Sequence, residues 1–97
     1  MRDKDLVPKK VKDAIKRIIR REVGRFGLRD VRVSPGEDHD GDPVLMVNVD
    51  YDETEVPVDT KVVAGLTTKI QDELWRLGEE RFAHLHHHFS EDQRVAG

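Results

Sequence analysis

Three histidines near the C-terminal end of the chain are the residues best placed to do chemistry. His84, His86 and His88 occupy alternate positions, so in a β-strand they would project from one face at steps of about 6.6 Å. Neutral imidazoles are common zinc ligands, and Asn48 or Asp50 on a neighbouring strand would complete the set of ligands. The pattern predicts a divalent-metal site, a pH-dependent contact, or a histidine-rich surface that faces solvent or a partner.

Basic residues are concentrated at the other end of the chain. Residues 1–32 carry 12 Lys or Arg and 5 Asp or Glu, whereas residues 33–97 carry 5 and 15. We interpret this asymmetry as two halves that partly neutralise each other after folding. Nucleic-acid binding is a second alternative, disfavoured by an aromatic content of 5% and a pI near 5.9. The predicted basic surface consists of Lys9, Lys12, Lys16, Arg17, Arg20 and Arg21.

Motifs for catalysis are missing from the sequence. There is no cysteine nucleophile, no Gly-x-Ser-x-Gly turn, and no glycine-rich phosphate loop with Lys and Ser or Thr. A chain of 97 residues also has little room for a concave, partly desolvated pocket beside its core. We therefore predict no enzymatic activity and no required cofactor, with zinc as the alternative.

Length and composition predict a single domain over residues 1–97, with an ordered core at about 8–89 and flexible tails at 1–6 and 90–97. Charged residues make up 38% of the chain, but Leu, Ile, Val and Phe supply 27 of the 97, which excludes general disorder. No apolar run approaches the roughly 18 residues of a membrane span, and the N-terminus leads into no signal peptide. We expect a cytoplasmic protein with no membrane contact.

Hydrophobic periodicity predicts two helices. Apolar residues recur at steps of three and four within 8–25, and Gly27 is suited to a left-handed cap. A second stripe runs from Val62 to Leu77, with Asp59 or Thr60 as the N-cap. Gly65 lies inside this helix and suggests a close approach to the sheet. Trp75 is predicted to be a core or interface residue.

Alternating residues predict a hairpin between the helices. Residues 28–34 and 43–51 alternate in polarity, and the loop between them is placed at 35–42. Residues 82–89 fit either a strand or a helix; a strand is favoured because Gly78 has just ended a helix. The predicted fold class is α+β: an α-β-β-α-β domain whose two helices pack on one face of a three-stranded sheet.

The opposite face of that sheet would be left open. Its mixed apolar and polar character is typical of an interface, and a domain of this size often gains stability from a partner. The predicted interface consists of Val44, Met46, Asn48, His84, His86 and His88. We expect a non-enzymatic interaction module that binds a protein partner or forms a homo-oligomer.

Two resemblances add to this interpretation. The Asp-His-Asp-Gly-Asp-Pro tip of hairpin 37–45, Gly65-Leu66-Thr67 in the second helix and Phe82 at the last strand resemble a group of short, uncharacterised bacterial proteins. That resemblance covers most of residues 11–89 and implies the small neutralising partner of a toxin–antitoxin-like gene pair. The layout is also similar to the cytoplasmic domain of cation-efflux transporters, which implies dimerisation and metal binding.

Overall fold

The computed structural model describes residues 6–52, 56–89 and 95–96. Its two helices and the strands of its three-stranded sheet follow the predicted α-β-β-α-β order, and two strands of two residues each are added to it. Most of both predicted flexible tails lies outside the described residues, as do residues 53–55 of the acidic connection. Val95–Ala96, within the C-terminal tail, pair in parallel with Val58–Asp59, a contact that the sequence did not predict. The elements are α1 (Lys9–Val23), β1 (Leu28–Glu37), β2 (Pro43–Tyr51), β3 (Val58–Asp59), α2 (Thr60–Arg76), β4 (Phe82–His88) and β5 (Val95–Ala96).

The first helix forms because its apolar residues share one side. These residues are buried in the structure, and a single 3-10 turn at Gly24–Phe26 extends the helix. Gly27 then has a φ of 84°, so the predicted left-handed cap is confirmed. The buried residues of α1 are Val11, Ala14, Ile15, Ile18, Ile19 and Val23.

The hairpin is confirmed, but its first strand is longer than predicted. Pro35 and Gly36 lie within β1, which continues to Glu37. An edge strand tolerates a residue that lacks an N–H group, so Pro35 does not end the pairing with β2. The loop is confined to residues 38–42, where Oδ1 of Asp38 accepts hydrogen bonds from the N–H groups of Asp40 and Asp42, both at 2.9 Å.

The second helix begins at the predicted cap. Oδ1 of Asp59 accepts hydrogen bonds from the N–H groups of Lys61 at 2.9 Å and Val62 at 3.4 Å, which satisfies two donors of the first turn. The suggested close approach at Gly65 is wrong, because among the described residues no atom outside its own stretch of helix would lie within 4 Å of an added Cβ. Gly65 is therefore not required by packing.

Strand β2 is the centre of a sheet with the order β1-β2-β4. It pairs antiparallel with β1 and parallel with β4, so α2 is the crossover between two parallel strands. Residues 82–88 are a strand, as favoured, because they complete this sheet.

One face of β2 forms the centre of the core. Leu45, Val47, Val49 and Tyr51 belong to a single hydrophobic cluster with the buried side chains of both helices. The alternating residues Met46, Asn48 and Asp50 are only half-buried. The predicted arrangement is confirmed, since the two helices lie on one face of the sheet. We call the face of the sheet opposite to the helices the open face.

No helix within the described part of the chain is both long and apolar enough to cross a membrane.

Two glycine substitutions should change the free energy of unfolding in opposite directions. Gly65→Ala should raise it by about 0.5–1 kcal/mol, because alanine favours the helix and the added methyl group meets no neighbour. Gly36→Ala should lower it by about 1–3 kcal/mol, because the new Cβ would lie 2.5 Å from Cγ of Met46 on β2.

Urea denaturation followed by circular dichroism measures both effects. In a Met46→Ala background, the loss caused by Gly36→Ala should largely disappear. Equal stability of Gly36→Ala and the unchanged protein would contradict the close packing of Met46 over β1.

Candidate protein-interaction surface

The sheet register brings the predicted interface residues together on the open face. Met46 is the register partner of His84, and Asn48 is the partner of His86. Oδ1 of Asn48 also lies 3.0 Å from Nε2 of His88. His84, His86 and His88 of β4 are exposed. The prediction that they share one face, beside the polar residues of β2, is therefore confirmed.

Val44 does not contribute to an exposed surface. Only 2% of its area is accessible, although it belongs to the same alternating set as Met46. It lies at the start of the central strand, between Gly36 of β1 and Phe82 of β4, which are its register partners. We therefore remove Val44 from the predicted interface and keep Met46 and Asn48.

The four proposed metal ligands do not form a coordination site within one chain. Asp50 makes a salt bridge with Arg32, with Oδ2 and Nη2 3.0 Å apart, although His88 is its register partner on β4. Among the described residues, no group of three His, Cys, Asp or Glu could hold a metal ion. Zinc binding thus remains a sequence-based prediction that no contact in the described chain supports.

Several residues of the predicted basic surface on α1 pair with acidic residues, some on α2 and some on α1 itself. Arg17 of α1 lies 3.5 Å from Glu73 of α2, and a second pair between the helices joins Glu22 to Lys69. Other acidic groups pair with Lys9 and Arg21, at 2.9 and 3.0 Å, both within α1. The remaining members are Lys12 and Lys16, which are half-buried, and Arg20, which is exposed.

An aromatic cluster closes the helix-covered face of the sheet at the end of β4. The hydroxyl of Tyr51 lies 2.9 Å from Nδ1 of His87, and the rings of Tyr51 and Phe89 stack with centroids 4.4 Å apart. Burial raises the pKa of Tyr51 to about 12. Burial also lowers the pKa of His87, helped by the charges of His88 and His86. The neutral ring of His87 can therefore accept a hydrogen bond from the hydroxyl of Tyr51.

The outer edge of β4 is paired with no other strand in the described part of the chain. The N–H group of Ala83 donates to Oε1 of Gln71 on α2, at 2.7 Å, rather than to β2. Backbone groups of alternate residues point to opposite edges of a strand. The N–H and C=O groups of Leu85 and His87 therefore lie along this same outer edge, which we call the free edge of β4.

Exposed aromatic side chains flank the free edge on both faces of the sheet. Phe82 is 66% exposed and projects from the open face, whereas Trp75 on α2 is 79% exposed. Trp75 lies one helical turn after Gln71, and it lines a shallow depression together with residues 78–80, just before β4. Of the two predictions for Trp75, a core position is wrong, and a position at an interface stays a prediction.

The turn before β4 is held by a largely buried ion pair. Nη2 of Arg81 lies 2.7 Å from Oε1 of Glu79 and donates to the carbonyl oxygen of Leu6 at 2.8 Å. The hydrogen bonds from Arg81 lower the pKa of Glu79. Arg81 thus joins the turn between α2 and β4 to the segment before α1, and sequence periodicity contains no signal for the contact with Leu6 because it spans 75 residues.

The free energy of unfolding should decrease as the pH falls through the histidine range. Because the pKa of His87 is lowered in the folded protein, the unfolded chain takes up a proton at a higher pH. The stability contributed by this difference is complete above the ordinary pKa of 6.5 and is lost as the pH falls toward the lowered value. His87→Gln should flatten the dependence, since glutamine does not titrate but still offers an acceptor to Tyr51.

Urea denaturation between about pH 7.5 and pH 5 measures this slope across the histidine range. His39→Gln, in the exposed hairpin loop, is the matched control and should leave the slope unchanged. If His87→Gln and the unchanged protein gave the same slope, the buried ring would not be its source.

Comparison with known proteins provides no family for this chain: no protein-family model, curated protein or solved structure matches it. The resemblances to toxin–antitoxin-like partners and to cation-efflux domains therefore stay predictions.

Proposed function

We propose that this protein is a non-enzymatic interaction module that binds an extended segment of polypeptide along the free edge of β4. The observation that carries this proposal is a strand edge to which no strand of the described residues pairs, flanked by two exposed aromatic side chains. Main-chain hydrogen bonds to such an edge provide affinity, and contacts with flanking side chains provide specificity.

The other edge of the sheet is less suited to this role. Strand β1 carries exposed charges at Arg29, Asp30 and Arg32, and Pro35 lacks an N–H group. Charged side chains and proline are the features by which proteins protect an edge strand from pairing. The free edge of β4 has neither Lys nor Pro, and Gln71 engages only its first outward N–H group.

The open face would supply side-chain contacts to the added segment. A strand beside β4 places alternate side chains next to His84, His86 and His88, with Met46 and Asn48 in the second row. Apart from Val44, the predicted interface residues are therefore retained in this proposal: they lie on the open face, next to the free edge where the added segment would pair.

A synthetic peptide with the sequence of residues 82–89 tests the proposal. The peptide contains no tryptophan, so a change in fluorescence reports on Trp75, the single tryptophan of the protein. We expect a saturable blue shift, because a strand on the free edge shields the indole from water. A peptide with proline at the position of Leu85 lacks the central N–H group and should give no shift.

Protein variants show where the peptide binds. Phe82→Glu should weaken binding about tenfold or more, which corresponds to about 1.4 kcal/mol. Arg29→Glu on β1 is the control at the opposite edge, and it should bind the peptide as the unchanged protein does. Equal loss in both variants, or equal binding of the proline peptide, would overturn the proposal.

A further inference from the structure

We infer that the strand bound at the free edge is β4 of a second copy of this chain, antiparallel and in a register centred on Leu85. This inference rests on the proposed function and names its partner. The pairing would join two three-stranded sheets into one continuous sheet around a twofold axis.

The backbone groups of the free edge are complementary to themselves. In an antiparallel pair, residues whose groups point outward lie opposite one another and exchange hydrogen bonds. With Leu85 opposite Leu85 of the partner subunit, the N–H group of each donates to the C=O group of the other. The N–H group of His87 then donates to the C=O group of the partner's Ala83, and the C=O group of the partner's His87 replaces Oε1 of Gln71 as the acceptor for the Ala83 N–H.

The exposed apolar side chains also match under this symmetry. Trp75 lies at the start of β4, and Phe89, 38% exposed, follows its end. Both lie on the helix-covered side, because Phe89 stacks on Tyr51 and Trp75 belongs to α2. Antiparallel pairing places the start of one strand beside the end of the other, so Trp75 reaches Phe89 of the partner subunit.

Polar groups at the two ends of β4 are complementary as well. Exposed Glu80 precedes the strand, and exposed His86 and His88 lie in its second half. The same symmetry brings the carboxylate of Glu80 toward the end of the partner's β4, on the side of His88 of the partner subunit. A parallel arrangement of the two β4 strands would instead place their starts side by side, so that the two Glu80 carboxylates would face each other.

Disulfide crosslinking tests the register, because the chain contains no cysteine of its own. The proposed register places His84 opposite His86 of the partner subunit. A mixture of ¹⁵N-labelled His84→Cys and unlabelled His86→Cys should therefore form a mixed disulfide, which intact mass spectrometry detects. Each variant alone should crosslink far less, and His39→Cys mixed with His86→Cys provides the background.

The molar mass in solution is measured in parallel by light scattering. We expect twice the chain mass of 11.2 kDa at millimolar protein, and a shift toward monomer for Phe82→Glu but not for Arg29→Glu. A monomer at every concentration that still binds the 82–89 peptide would overturn the second copy as partner and leave the proposed function standing.

The remaining outcomes also decide the matter. A monomer that does not bind the peptide would overturn both proposals. A dimer without the mixed disulfide would overturn the register and place the contact elsewhere. A dimer with the mixed disulfide supports both proposals even if it excludes the peptide, because the edge is then already occupied.

Discussion

The structure depends on the burial of one face of the central strand under two helices. Leu45, Val47 and Val49 are fully buried there, in one cluster with the apolar sides of α1 and α2. Each such side chain contributes about 1.5–3 kcal/mol when it leaves water. Because strand residues alternate, the burial of these positions also determines which residues of β2 remain on the open face.

The parallel crossover follows from the same constraint. To keep the apolar side of α2 on the core, the chain leaves β2, crosses the sheet on its covered face, and returns beside β2 as β4. Strand β4 thereby becomes an edge strand of the three-stranded sheet, and no strand of the described residues pairs with its other side. Just before this strand, Arg81 pairs with Glu79 and donates to the carbonyl oxygen of Leu6, which ties the turn to the segment before α1.

The charged residues mainly serve contacts within the chain. Arg17 pairs with Glu73 and Arg32 with Asp50, so basic residues of the first third neutralise acidic residues of the remainder. This result supports the interpretation of the charge asymmetry as internal compensation. Such exposed pairs contribute little stability, but they engage Asp50, the carboxylate that a metal site on the histidines of β4 would have needed.

Local patterns in the sequence determined the elements of this protein. The periodicity of α1, the Asp59 cap and the alternation of β2 predicted helices and strands near their observed bounds, because these signals act over one or two turns. The alternation of β4 likewise placed His84, His86 and His88 on one face. No local pattern revealed that Pro35 lies within β1, since only the position of that strand at the edge makes proline acceptable there.

The exposure of particular side chains was decided by tertiary structure. Val44 and Met46 are two residues apart and point to the same face of β2, yet Val44 is buried and Met46 is only half-buried. Trp75 follows buried Leu74, but its side chain points away from the core, toward the start of β4. The spacing of residues in the sequence specifies which of them share a side of a helix or strand. What covers that side depends on how distant segments of the chain pack against it. The free edge of β4 could therefore be recognised only in the folded chain.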